Sequence, residues 1–220
     1  MRIVKRQMLL HHSVSAVGGF IGGYSIFNHC DIFPNAQTGN LIKLSHSAVS
    51  GGLELVGMTA LLFLVYAAGC VFYAVVRRFS RLSMKIISLI ITALSVTAVG
   101  LISGVENHFI AVLPFVFAMP IQWNAFKNVG GNSSSTIFSS NNVRQAVMLL
   151  TKYFLDREKK DLRNAAFYWR TLLCFNLGAA LGCLLSLWLG LQSVWCCLPL
   201  IALSGFFYYR YESAKIEAFT

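Results

Sequence analysis

The sequence predicts an all-helical membrane protein. Three observations carry that expectation: residues are 56% hydrophobic against 12% charged, the mean hydropathy is +0.65, and most lysines and arginines fall in the breaks between long apolar runs. A composition of this kind excludes a disordered tail and an ordinary soluble domain. In a soluble protein the net charge of +10 would point to nucleic acid. Here the placement of the bases is a matter of topology, so no nucleic-acid partner is expected and the lipid bilayer is the first partner. The chain reads as one integral membrane domain, 1–220.

Six candidate spans follow from the apolar runs: 9–29, 53–76, 84–104, 108–126, 165–189 and 193–210. Each holds roughly 18 to 25 residues, enough to cross about 30 Å of hydrocarbon at 1.5 Å per residue. The third and fourth nearly merge, with Glu106, Asn107 and His108 supplying the turn. The N-terminus has the bases of a secretory signal, but His11, His12 and Ser13 interrupt the apolar stretch and no Ala-x-Ala-like site follows before Asp31, so an uncleaved first span is expected.

Orientation follows from the bases, because cationic loops resist translocation. Arg2, Lys5 and Arg6 precede the first span, Arg77, Arg78, Arg81 and Lys85 separate the second and third, Lys152 to Arg163 hold five bases before the fifth, and Arg210 and Lys215 follow the last. With six spans these all lie inside, together with both termini. Asp31, Glu54 and Glu106 then lie outside, with Lys43 as the one base there. Trp188 and Trp195 bracket the last outer turn, and Tyr208, Tyr209 and Tyr211 close the inner end, as interfacial anchors.

Two polar segments interrupt this pattern. Asn35-Ala36-Gln37-Thr38-Gly39-Asn40-Leu41-Ile42-Lys43 corresponds, at an offset of 101 positions (38 to 139), to Thr136-Ile137-Phe138-Ser139-Ser140-Asn141-Asn142-Val143-Arg144. Thr38 falls on Ser139, Asn40 on Asn141 and Lys43 on Arg144. A repeat unit of three spans must re-enter the bilayer upside down. The expected architecture is therefore two inverted three-helix repeats, about 9–104 and 108–210, each with a broken or re-entrant polar segment, which is a transporter signature.

The first segment is too short and polar to cross the bilayer, yet Leu41, Leu44 and Ala48 share a helical face, Pro34 suits a pre-helix position, and Thr38 or Asn40 suits the N-cap. A helix starting inside a membrane presents unpaired N–H groups and partial positive charge to an anion, water or protein. Lys43 adds a full charge nearby. The second segment repeats this logic with Ser133, Ser134, Ser135, Thr136, Ser139, Ser140, Asn141 and Asn142 ahead of Arg144. So many donors are costly in lipid unless they line a cavity or are satisfied by backbone. The plainer alternative is a pair of re-entrant loops capped by their own side chains, with Lys43 and Arg144 snorkelling to headgroups.

The spans ahead of the two segments are also paired. Gly18, Gly19, Gly22 and Gly23 form two overlapping Gly-xxx-Gly pairs that permit close helix approach. Gly23 aligns with Asn124, and Gln122 and Asn124 either face the site or join helices by hydrogen bonds.

The run Gly19-Phe20-Ile21-Gly22-Gly23-Tyr24 leading to Asn35-Ala36-Gln37-Thr38-Gly39-Asn40, and Gln122-Trp123-Asn124-Ala125 leading to the Ser/Thr cluster through Asn142, resemble the YoaK-type family of small six-span bacterial membrane proteins. The resemblance implies small-molecule transport by analogy and a place in the bacterial inner membrane. The family pattern has an acidic residue near Gly22 and a second Thr-Gly where this chain has Ser139-Ser140. The missing carboxylate argues against proton coupling through that position.

The expected function is movement of a small polar or anionic solute by alternating access. Asn40 and Asn141 would bind the solute, Thr38 and Ser139 would support them, Lys43 and Arg144 would supply countercharge, and Gln122 and Asn124 would face the site. A non-transporting scaffold or lipid-binding protein is the alternative; a homo-oligomer fits either. A membrane enzyme is disfavoured, since neither a nucleophile and base nor paired intramembrane carboxylates are evident. No metal or cofactor is expected: the five histidines show no ligand spacing. Cys70, Cys174 and Cys183 lie in apolar spans, while Cys30, Cys196 and Cys197 fall near the outer face, where a bridge from Cys30 is sterically open. Residues 156–163 read as a solvated helix, with Asp156 and Lys160 paired one turn apart.

Overall fold

The computed structural model describes residues 2–102 and 104–218. Met1, Ser103, Phe219 and Thr220 lie outside the described residues, and with them one position of the expected 84–104 span. Eight helices account for most of the described chain: α1 (Arg2–Asn28), α2 (Thr38–Ser50), α3 (Leu53–Phe79), α4 (Met84–Leu101), α5 (His108–Phe126), α6 (Ser140–Asp156), α7 (Lys159–Leu189) and α8 (Cys197–Ile216). A two-residue hairpin, β1 (Asn128–Val129) with β2 (Asn132–Ser133), follows α5, and a 3-10 turn, Gly190–Cys196, joins α7 to α8.

Four stretches are long and apolar enough to cross a membrane: α3, α4, α5 and a continuous one, Lys159–Ile216, that contains both α7 and α8. The chain is thus an all-helical membrane protein. Only 17% of the apolar window of α3 is buried, and Leu64, Val71 and Phe79 are exposed along it, as lipid-facing side chains would be. The α1 helix is the reverse case. It is not among the four stretches, yet Val14, Val17, Phe20, Ile21 and Tyr24 are fully buried in the main core. A helix walled off from lipid by its neighbours can carry glycine, serine and histidine, which lowers its hydropathy without exposing polar groups.

Glycine sets the closest helix crossing. A Cβ at Gly19 or Gly23 of α1 would collide with the Phe175 or Ala179 carbonyl of α7, and one at Gly178 or Gly182 of α7 would collide with the Ala16 or Phe20 carbonyl of α1. Gly-xxx-Gly pairs on both helices therefore let the backbones touch.

The element order itself recurs: a long helix, an irregular polar stretch, a short amphipathic helix and two further helices, first as α1 to α4 and again as α5 to α8. The packing follows suit. The lead helix α1 packs on α7 and α8, α5 packs on α3 and α4, and the short helices α2 and α6 pack on α3 and α7. Each lead helix thus lies against the later helices of the other half.

One local expectation needs correction. Asp156 and Lys160 do not share a helix, because Arg157 takes a left-handed conformation (φ 58) and ends α6. Lys152 instead pairs with Asp161 at 3.2 Å across the α6–α7 corner. All six cysteines are free thiols, so no bridge forms from Cys30.

Candidate functional site

The two polar segments meet in space through Asn35. Its side chain is fully buried, and its amide donates to the Gly18 carbonyl of α1 and to the Ile137 carbonyl of the second segment, both at 2.8 Å. One short amide side chain thereby ties the lead helix and both segments together. Any Cβ at Gly22 would press on Phe33 and on the Asn35 amide, so glycine there makes room for the turn.

In the first segment the chain leaves α1 through Cys30 and Asp31, both left-handed (φ 50 and 57). Gln37, not Thr38 or Asn40, occupies the N-cap of α2, and its side chain makes no capping bond. Gln37 Oε1 accepts a 3.3 Å bond from Asn40, while Gln37 Nε2 is buried with no partner. Ser139 is likewise the N-cap of α6 without a side-chain cap bond. Both short helices therefore begin with amides that no cap side chain satisfies.

The second segment is held far more firmly. Gly130 and Gly131, at φ 56 and 86, turn the hairpin, whose register pairs Asn128 with Ser133 and Val129 with Asn132. His11 reaches across from α1, its Nδ1 donating to the Phe126 carbonyl at 3.0 Å and its Nε2 lying 3.0 Å from Ser134 Oγ. Asn142 Oδ1 accepts from Ser134 Oγ and from the Ser135 amide, and Asn142 Nδ2 donates to the Ser135 carbonyl at 2.7 Å. The Ser/Thr cluster is thus largely satisfied by the protein itself. His11 is a buried pin of this segment.

Between the segments lies a cavity of about 620 Å³. Ala36, Gln37, Thr38 and Leu41 line it from the first segment, and Phe138, Ser139 and Ser140 from the second. Phe33, Tyr66, Trp123 and Phe175 complete the walls. Trp123 meets Phe138 edge-on at 4.8 Å between ring centres. Part of the lining falls on corresponding positions of the recurring element order. Thr38 and Ser139 are related by the 101-position offset, as are Ala16 and Phe117, whose carbonyls abut Gly178 and Gly69. Tyr66 and Phe175 each stand three residues before those glycines, so they occupy equivalent places on α3 and α7.

Among the described residues no charged side chain lines this cavity. Its polarity comes from the Thr38, Ser139 and Ser140 hydroxyls, the Gln37 amide, and the N-terminal ends of α2 and α6, each of which carries partial positive charge. Of the residues singled out from sequence, Thr38 and Ser139 are in the lining. The other six lie elsewhere. Lys43 is exposed and donates to the Asp31 carbonyl at 3.3 Å, and Arg144 is exposed and donates to Asn141 Oδ1 at 3.3 Å. Asn141 also reaches the Ser133 carbonyl, and Asn40 is buried against Gln37. Gln122 is buried, donating to the Val14 carbonyl at 3.3 Å and to Thr136 Oγ1 at 3.4 Å, and Asn124 donates to the Pro120 carbonyl.

The aromatic walls were not legible as site residues. Tyr66 and Phe175 sit in apolar runs and look like any span residue; their equal distance from a glycine in matching helices is the signal that picks them out. A second cavity, of about 570 Å³, is lined by Cys30, Glu54, Asn107, His108 and apolar neighbours at the start of α3 and α5. His29 Nδ1 lies 3.3 Å from His108 Nδ1 beside it. The second segment does not reach this cavity, and among the described residues no group of three or more His, Cys, Asp or Glu could hold a metal ion.

The chain belongs to the family described as "protein of unknown function (DUF1275)", whose family model matches residues 10–207. No curated protein and no solved structure matches it.

Proposed function

We propose that this protein moves a small polar or anionic solute across the membrane by alternating access, binding it in the cavity between the two polar segments. The observation that carries this reading is that both segments line one cavity, with the offset partners Thr38 and Ser139 and the equivalent rings Tyr66 and Phe175 each contributing from opposite halves. A site that draws equally on two related halves can be opened toward either side by rocking one half against the other.

In this reading there are six spans, α1, α3, α4, α5, α7 and α8, arranged as two inverted three-span repeats, with both termini on the cytoplasmic side of a bacterial inner membrane. The recurring element order, the exchanged packing of the lead helices and the placement of the bases support it. So does the likeness to YoaK-type proteins. The segment helices α2 and α6 present their N-terminal amides to the solute, which favours a carboxylate or another acceptor-rich group, while the aromatic walls hold an apolar body. Thr38, Ser139 and Ser140 supply hydrogen bonds. Asn40 and Asn141 steady the starts of α2 and α6, and Lys43 and Arg144 add a more distant positive field.

Trp123 offers a direct readout because it lies in the wall. A panel of small carboxylates, amides and amines should include one class that changes Trp123 emission, with the Trp123→Phe variant silent. Thr38→Val combined with Ser139→Ala should then lower flux of that class in proteoliposomes by tenfold or more, about 1.4 kcal/mol or above, at unchanged expression. Emission insensitive to every class, or undiminished flux in the double variant, would reject the assignment.

A further inference from the structure

Two arginines line one cleft at the end of the bundle where α1 begins and α8 approaches its end. Arg6 Nη1 donates to the Arg210 carbonyl at 2.8 Å, which draws one guanidinium to the foot of the other arginine. Arg210 in turn stands over the Phe206 ring, 5.8 Å from its centre. These two residues, with Leu9, Phe206 and Phe207, enclose a cleft of about 140 Å³. Neither arginine pairs with a carboxylate among the described residues. Among the described residues the ion pairs are Lys152 with Asp161 and Lys215 with Glu212, and the nearby Glu212 is therefore already engaged. Lys85, on the adjoining α4, sits over Tyr211 at 4.4 Å and adds to the positive field.

Two cations lining one cleft with no carboxylate paired to them among the described residues cost free energy that an anion would recover. The apolar side of the cleft decides which anion. Leu9 and Phe206 are about half exposed, at 49% and 52%, on the outside of helices that stand in a membrane. We infer that this cleft binds an anionic phospholipid, its phosphate between Arg6 and Arg210 and an acyl chain along Leu9, Phe206 and Phe207. Arginine suits the task because its planar fork offers paired donors to phosphate oxygens, and one of the Arg6 donors is already spent on orienting it. The site is separate from the solute cavity: no residue lines both. It joins the lead helix of one half to the last helix of the other.

The test uses the purified full chain in a neutral detergent and follows its thermal midpoint during titration with phosphatidylglycerol, with phosphatidylcholine, and with inorganic phosphate. Phosphatidylglycerol should stabilise at concentrations where phosphatidylcholine does not. Arg210→Gln should weaken its apparent affinity about fivefold, the effect of losing one base near an anionic lipid, and should leave the Arg6 bond to the backbone carbonyl intact. Arg6→Gln should do the same, and if that variant does not fold, Arg210→Gln alone decides the matter. Lys5→Gln, which removes an exposed base on the same turn of α1, should leave the preference unchanged. Equal stabilisation by the two lipids overturns the inference, as does a phosphatidylglycerol effect undiminished by Arg210→Gln. An equal loss with Lys5→Gln would assign the preference to diffuse surface charge. Matching stabilisation by inorganic phosphate would assign the cleft to a free anion and remove the lipid.

Discussion

Residues 33–50 and 127–156 begin from similar sequence and end in unequal anchorage. In the first, Asn35 carries the long-range bonds, α2 contributes no side chain to any of the hydrophobic clusters, and its Ile42 and Val49 are largely exposed. In the second, a hairpin, the His11 pin, the Asn142 knot, the Tyr168 hydroxyl bonded to the Ser133 carbonyl and the Lys152–Asp161 pair all converge, and Ala146 of α6 is packed in a cluster with Phe167 and Leu172. The lesson is that a repeat in sequence sets equivalent positions, while tertiary bonds set how freely each copy moves. If the protein transports as proposed, the first segment would be the moving gate and the second the fixed wall.

The sharpest way to break that contrast is at one pair of offset positions. Asn142→Ala leaves Ser134, the Ser135 amide and the Ser135 carbonyl without their partner in a buried site, and should cost about 3 kcal/mol in an unfolding measurement. Its counterpart Leu41→Ala, at a 38% exposed position, should cost about 1 kcal/mol or less. Comparable losses would mean that the two segments are equally anchored.

Asn35→Ala comes next. It removes the Asn35 side-chain donor from the Gly18 and Ile137 carbonyls and should cost about 2 kcal/mol, loosening the first segment while the second holds. Amide hydrogen exchange would read the same difference without mutation. Amides of α2 should exchange about tenfold faster than those of α6, equivalent to about 1.4 kcal/mol in local opening. Equal rates would remove the case for a moving gate. The smallest effect is electrostatic. Lys152→Gln, which unpairs a mostly buried Asp161, should cost about 1 kcal/mol, and Lys43→Gln, which loses one exposed bond to a carbonyl, about 0.3 kcal/mol or less; a larger loss at Lys43 would reverse the ranking of the two segments.

The membrane helices were legible because hydropathy answers to lipid, and α3, α4, α5, α7 and α8 stand where the apolar runs lie. The glycine pairs of α1 were legible as a contact face, though not the partner, α7. Within the polar segments, the residue types were legible and their directions were not. Successive helix residues turn by about 100°, so Lys43, five positions after Thr38, points roughly 140° away from it, and Arg144 stands in the same relation to Ser139. The matched bases marked the repeat but face outward. Leu41, three positions from Thr38, returns to the same side and does line the cavity.

By itself the sequence determined that this is a helical membrane protein, and it proposed which stretches correspond, since both readings follow from patterns along the chain. Only the tertiary structure decided which side chains enclose the cavity and which segment is pinned. Those outcomes depend on contacts such as Asn35 to Ile137 and His11 to Ser134, whose partners lie more than a hundred residues apart and leave no mark on local periodicity.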